Sequence, residues 1–269
     1  PTTTLPPTTT AAPGPDLIEG DWAAKPVIAV EGLPGVIGWW DGSGWVSPEE
    51  AAEIPMEGDE TFQIAKLGRS GAVTTRGMET NEDFIPYCFP GRTGPVFADD
   101  LALGSWTYEG FISGVVVSAP WRLQPRPVSV GASREGLEKA AIKLLAAEGY
   151  EADAVEIVQA IDADLDGDGA VETIAAVNRG ERGLVVSDAY GMIFVVRAGS
   201  DPEVVAKDVT LPRDEGTYTV FRVGAVADIS GDGVMELVVS WSEWEWAGVS
   251  IYELTDDGFS QVLDSGCGV

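Results

Sequence analysis

Short apolar runs broken by glycine dominate this chain, and most of them have the length and composition of β-strands. Residues 26–30, 36–40 and 45–46 each read as a strand, and the Asp41-Gly-Ser-Gly44 sequence between the last two predicts a hairpin turn. Residues 61–67, 96–97, 106–108 and 114–117 continue the β pattern, while 86–95 is Pro/Gly-rich and predicts a loop carrying Cys88. One stretch has helical period instead. Leu137, Ala141, Leu144 and Leu145 share a face within 134–148, Ser133 can cap its start, and Gly149 follows where a C′ glycine belongs. The expected fold class is therefore mainly β (α+β). A β-rich region covers 16–130, a connecting helix lies within 131–150, and a second β-rich region covers 151–269.

The last region repeats itself. Residues 155–177 read VEIVQAIDADLDGDGAVETIAAV, and residues 219–241 read TVFRVGAVADISGDGVMELVVSW. Each is an apolar run, an Asp-Gly loop and a second apolar run. Further hairpins are expected after each, 183–187 with 192–197 and 248–254 with 259–263, so 151–269 reads as two tandem β units. The first loop sets Asp164, Asp166, Asp168 and Glu172 at positions 1, 3, 5 and 9. The second sets Asp228, Ser230, Asp232 and Glu236 in the same register. A hard cation such as Ca²⁺ takes six to eight oxygens at about 2.3–2.6 Å, and a tight loop aims alternate side chains at one centre. Main-chain carbonyls near Ala170 and Val234 could supply position 7. An EF-hand does not fit: a twelve-residue loop begun at Asp162 would end on Thr173 rather than a bidentate Glu, and strand-like sequence flanks both loops.

The pattern D-x-D/N-x-D-G-x-x-D/E followed by an apolar strand resembles the calcium loops of FG-GAP and VCBS-type β repeats. The resemblance covers roughly residues 155–265. It implies loops set inside β hairpins that hold Ca²⁺ through Asp164, Asp166, Asp168 and Glu172, and through Asp228, Ser230, Asp232 and Glu236. Ser230 stands where those families carry an acid or amide, which implies a weaker second site or one that uses more water. Two clear repeats are fewer than the four blades a propeller needs, so the units are expected to be blade-like or to form a sandwich. More loosely, the layout ending in Gly-Cys-Gly at 266–268 resembles uncharacterised exported bacterial proteins and lipoproteins.

Charge narrows the function classes. The chain has 269 residues, 44 Asp+Glu, 16 Lys+Arg and no histidine, for a net charge of −28. Without histidine there is no Ser-His-Asp triad, Cys-His pair or His-ligated metal. So negative a surface repels nucleic acid and anionic lipid and attracts cations. The Asp-flanked glycines at 167–169 would repel a phosphate. Acidic pairs could serve glycoside hydrolysis, but nothing in the sequence selects one, so no catalytic residue and no organic cofactor are assigned. The cysteines, Cys88 and Cys267, could pair in an oxidising compartment. Residues 1–15 are mostly Thr and Pro without charge and predict an extended stalk or arm, a composition typical of O-glycosylated exported proteins. The chain is thus expected to be extracellular or cell-surface, its signal segment removed. Trp244 and Trp246 alternate with Glu243 and Glu245; in a strand they would share one face, read here as core.

These readings converge on a non-catalytic, secreted or cell-surface calcium-binding protein acting in binding, adhesion or surface assembly. Expected partners are calcium ions and, beyond them, other copies of the chain, surface proteins or glycans. Nucleic acid and membrane insertion are not expected. Two other classes stay open: a structural subunit of an extracellular filament using its N-terminal arm, and a carbohydrate-binding or glycoside-processing module.

Overall fold

A computed structural model describes residues 17–20, 22, 27–30, 36–47, 60–67, 69–78, 95–97, 114–180 and 187–268. The fold is mainly β, with sixteen strands and one helix among the described residues. Seven strands form an N-terminal sheet: β1 (Val27–Val30), β2 (Val36–Trp40), β3 (Trp45–Val46), β4 (Thr61–Lys66), β5 (Arg69–Met78), β6 (Pro95–Phe97) and β7 (Gly114–Val117), in the order β3-β2-β1-β7-β4-β5-β6. The second sheet joins β8 (Val128–Val130) to a meander of β9 (Ile157–Ala163), β10 (Glu172–Arg179), β11 (Ala189–Val196) and β12 (Glu203–Thr210). The third is a plain meander of β13 (Val220–Ala227), β14 (Glu236–Ser242), β15 (Trp246–Thr255) and β16 (Gly258–Gly268). Every pairing between neighbours is antiparallel.

The three sheets stack face to face, with the β13–β16 sheet in the middle. One of its faces supplies Ala225, Ala227, Val238, Val249 and Ile251 to a core shared with Ile28, Ile37, Val115 and Val117 of the N-terminal sheet. The other supplies Phe221, Val223, Leu237 and Val239 to a core shared with Ile161, Ile174, Ile193 and Val195. A strand buried on both sides reads as a continuous apolar run rather than an alternating one, which is why ELVVSW and AVETIAAV carry so little polar punctuation. The far side of the second sheet is closed by helix α1 (Leu137–Ala147), whose Leu137, Ala141 and Leu145 meet Ile157, Ala175, Val177 and Met192.

Two devices hold the stack in register. A bulge between Val223 and Ala225 in β13 reverses the facing of its side chains: Phe221 and Val223 point to one core, Ala225 and Ala227 to the other. The free edge of β13 is then capped by amides from the sheet beside it. Asn178 Nδ2 donates to Phe221 O at 3.0 Å and its Oδ1 accepts from Phe221 N at 3.0 Å. Gln159 does the same for Val223, at 3.1 and 2.9 Å. An exposed strand edge is thereby satisfied inside the protein.

The helix differs from expectation at its start. It begins at Leu137 after Gly136, which takes φ 83° and offers no side-chain cap, while Ser133 Oγ only accepts Glu135 N at 3.4 Å. Its end is as expected: Gly149 takes φ 81°, Gly149 N donates to Ala146 O and Tyr150 N to Leu145 O, both at 3.0 Å. The expected 248–254/259–263 hairpin is β15–β16. The 183–187/192–197 pairing is replaced, for the residues described, by β11 pairing with β10 and β12. Strands β5, β8 and β12 were not expected. Residues 1–15, the 106–108 strand, the loop before Pro95 and Cys88 lie outside the described residues, as does the Cys267 side chain, so the disulfide expectation does too.

Candidate metal centre

Each Asp-Gly loop joins the first two strands of its meander: 164–171 links β9 to β10, and 228–235 links β13 to β14. The two are built alike. Glu172 and Glu236 open the second strand of each hairpin, and each bends back to the start of its loop. Leu165 N donates to Glu172 Oε2 at 2.7 Å, and Ile229 N donates to Glu236 Oε2 at 2.6 Å. Gly167 N donates to Asp164 Oδ1 and Gly231 N to Asp228 Oδ1, both at 2.7 Å. At position 5, Asp168 Oδ1 accepts from Ala170 N at 2.7 Å and Asp232 Oδ1 from Val234 N at 2.8 Å. The glycines follow the same path, with φ 77° and 89° at Gly167 and Gly169, and 78° and 92° at Gly231 and Gly233. That left-handed path is what folds positions 1, 3 and 9 toward one point.

In the first loop Asp164, Asp166 and Glu172 bring a carboxylate oxygen each to within 4.8 Å of one another. Asp168 is exposed and not part of that group, although its charge still acts on Glu172. Glu172 is buried, and burial, with the charges of Asp166, Asp164 and Asp168 behind it, pushes its pKa up against the pull of the Leu165 N–H. No matching carboxylate trio forms in the second loop among the described residues, because Ser230 replaces an acid and Asp232 is exposed.

The second loop is instead buried. Asp228 is 2% exposed, Ser230 5% and Glu236 0%. Ser230 Oγ and Glu236 Oε1 are closed off from solvent with no hydrogen-bond partner; the hydroxyl lies near enough to favour the charged carboxylate but forms no bond of proper geometry. Burial pushes Glu236 well above the usual carboxylate range and raises Asp228 to about 6. Buried, unpartnered oxygens facing one another are costly unless a cation or a proton completes them. The donor set in both loops is all oxygen, which suits a hard ion of the Ca²⁺ type and not a soft metal. Asp164, Asp166 and Glu172 in one loop, and Asp228, Ser230 and Glu236 in the other, would hold it. Such an ion would brace the loop by neutralising its carboxylates. Ala170 and Val234 lie at the outer turn of each loop, engaged through their N–H groups.

Sequence reasoning missed the groups that support these loops. Arg126 Nε donates to Asp164 O at 2.6 Å and its Nη2 to Leu165 O at 2.8 Å. Trp121 Nε1 donates to Asp228 O at 2.9 Å, and Asp228 N donates to Leu123 O at 2.7 Å. No local signal marks these residues, which act across as many as 107 positions. Trp244 sits in the β14–β15 turn and Trp246 opens β15, and they are 44% and 55% exposed, so this pair is surface and not core. A two-strand hairpin turns where a single alternating strand was expected. Trp241 does enter the core, against the backbones of Gly248 and Gly266.

No family model, curated protein or solved structure matches this chain. The likeness to FG-GAP and VCBS repeats therefore rests on the two loops and the hairpins that carry them.

Proposed function

We propose that this chain is a non-catalytic calcium-binding protein of the FG-GAP/VCBS-like kind, working outside the cell in binding, adhesion or surface assembly. The observation that carries the reading is the buried second loop, where Ser230 Oγ and Glu236 Oε1 have no partner although the loop backbone is fully organised around them. The first loop, with the same hydrogen bonds and a close carboxylate trio, supports it. The Thr/Pro-rich residues 1–15 and the net charge of −28 favour an extracellular or cell-surface setting, where calcium is plentiful. The exposed Trp244 and Trp246 favour a second role, contact with a glycan or partner surface at the β14–β15 tip. Calorimetric titration of chelator-stripped protein with CaCl₂ tests the main reading. Two bound ions per chain and a raised melting temperature are expected; no heat of binding and no thermal shift would overturn it.

A further inference from the structure

The two loops touch. Met235, the residue before Glu236, donates its N–H to Leu165 O at 2.8 Å. Leu165 donates its own N–H to Glu172 Oε2. One residue thus meets the position-9 carboxylate of the first loop on one side, and on the other the residue adjoining the position-9 carboxylate of the second. Its side chain cannot yield independently, because Leu165 and Met235 are both fully buried in the core shared by the two sheets.

A second connection runs beside the first. Residues 121–126 lie along both loops. Trp121 bonds to Asp228 O, and its ring closes on Gly231, where an added Cβ would come within 2.7 Å of it. Leu123 O takes the Asp228 N–H. Arg126, at the other end of the segment, grips the carbonyls of Asp164 and Leu165 and lies 3.9 Å from Asp164 Oδ1. Arg126 and Met235 therefore converge on the same carbonyl, Leu165 O.

We infer that the two loops bind their cations cooperatively, as one unit joined by the Leu165 peptide and the 121–126 segment, with Arg126 as its positioning residue. The inference rests on the calcium reading above. With Glu172 held on an ion in the first loop, the Leu165 peptide, Met235 and the Glu236 side chain would be held with it, so the second site would need less further ordering of its ligands. The first loop brings four carboxylates, Asp164, Asp166, Asp168 and Glu172, and the second brings three, Asp228, Asp232 and Glu236, so the filled unit stays negative and repulsion between the ions is offset.

The test is calcium titration of the full chain by calorimetry, with tryptophan fluorescence followed in parallel in wild type and in Trp121→Phe, the difference between them reporting on the second loop. Wild type should take up two ions with a Hill coefficient above 1. Asp164→Asn/Asp166→Asn, which removes the first site, should weaken calcium at the second loop by roughly 5- to 150-fold, and Asp228→Asn/Glu236→Gln, which removes the second, should weaken the first by the same factor, as linkage requires. Arg126→Gln should lower the Hill coefficient toward 1, the Met235–Leu165 bond remaining; Arg126→Lys, which keeps the charge but not the two-carbonyl grip, should do so too and serves if the glutamine variant does not fold. Two ions bound without cooperativity, and a second-loop affinity unmoved by loss of the first site, would overturn the coupling while leaving calcium binding intact. No calcium uptake by wild type would overturn the reading beneath it.

Discussion

Glu236→Gln separates what the second loop gains from a cation and what it loses without one. One Glu236 carboxylate oxygen accepts the Ile229 N–H and the other, Oε1, is buried without a hydrogen bond, as is Ser230 Oγ. Gln keeps the first bond through its carbonyl and turns an NH₂ toward the serine, which becomes its acceptor. At a pH where Glu236 is ionised it also removes a buried negative charge. Leaving a charged buried group unsatisfied costs about 1–3 kcal/mol or more, so the metal-free variant should gain about 2 kcal/mol; at about 2–4 °C per kcal/mol its Tm should rise by roughly 4–8 °C. In calcium the order reverses. An ion held at about 1,000 times its Kd adds about 4.1 kcal/mol to wild type, and the variant, lacking the ligand charge, forgoes it. Wild type should then lead by about 2 kcal/mol. Differential scanning calorimetry in EDTA and in calcium, at a concentration set from the wild-type titration, reads both arms. A metal-free Tm that falls on substitution would refute the argument, since it would mean that the carboxylate is already satisfied without a cation.

Other expectations follow from the same contacts. Gly231→Ala should cost about 2–4 kcal/mol, since its Cβ would enter the Trp121 ring at a φ of 78°, whereas Gly233→Ala, with φ 92° but open space around it, should cost only about 1 kcal/mol; urea unfolding of the pair compares them. Gln159→Leu leaves both backbone groups of Val223 unpaired at the edge of β13 and should lower the urea midpoint by the equivalent of roughly 3 kcal/mol. Burial raises the phenols of Tyr150, Tyr190 and Tyr218, the last to about 12. Because the folded pKa lies above the unfolded one, the stability they contribute is complete below pH ~10 and is lost as pH rises toward 12 and beyond. Tm against pH, with tyrosinate absorbance alongside, should show that decline; a flat profile through this window would contradict the burial of these rings.

Local chemistry is legible where neighbours in sequence are also neighbours in space. The two Asp-Gly loops are of this kind: the spacing of their oxygen-bearing side chains, the glycines with positive φ and the hairpin strands all lie within one short stretch, so Asp164–Glu172 and Asp228–Glu236 could be located before any fold was known. Gly149 as a helix stop is another case. Where a residue's role depends on what packs against it, the pattern misleads. β12, EVVAKDVT, is an edge strand with a half-solvated face and too few apolar positions to stand out. Ser133 has the right chemistry for a cap, but the chain enters α1 through the left-handed Gly136. Trp244 and Trp246 have the spacing of a buried face and lie instead at the exposed end of a hairpin.

By itself, then, the amino-acid order determined a mainly β chain, one helix and two oxygen-rich loops, because each follows from periodicity or ligand spacing over a few residues. Tertiary structure alone decided that the third sheet lies between the other two, that the second loop is buried and the first open, and that both share the Leu165 peptide. Those outcomes depend on the bulge at Val223, the amides of Gln159 and Asn178 and the reach of Trp121 and Arg126, which are contacts between elements far apart in the chain. The energy of such a contact belongs to the pair and is written in neither partner's local sequence.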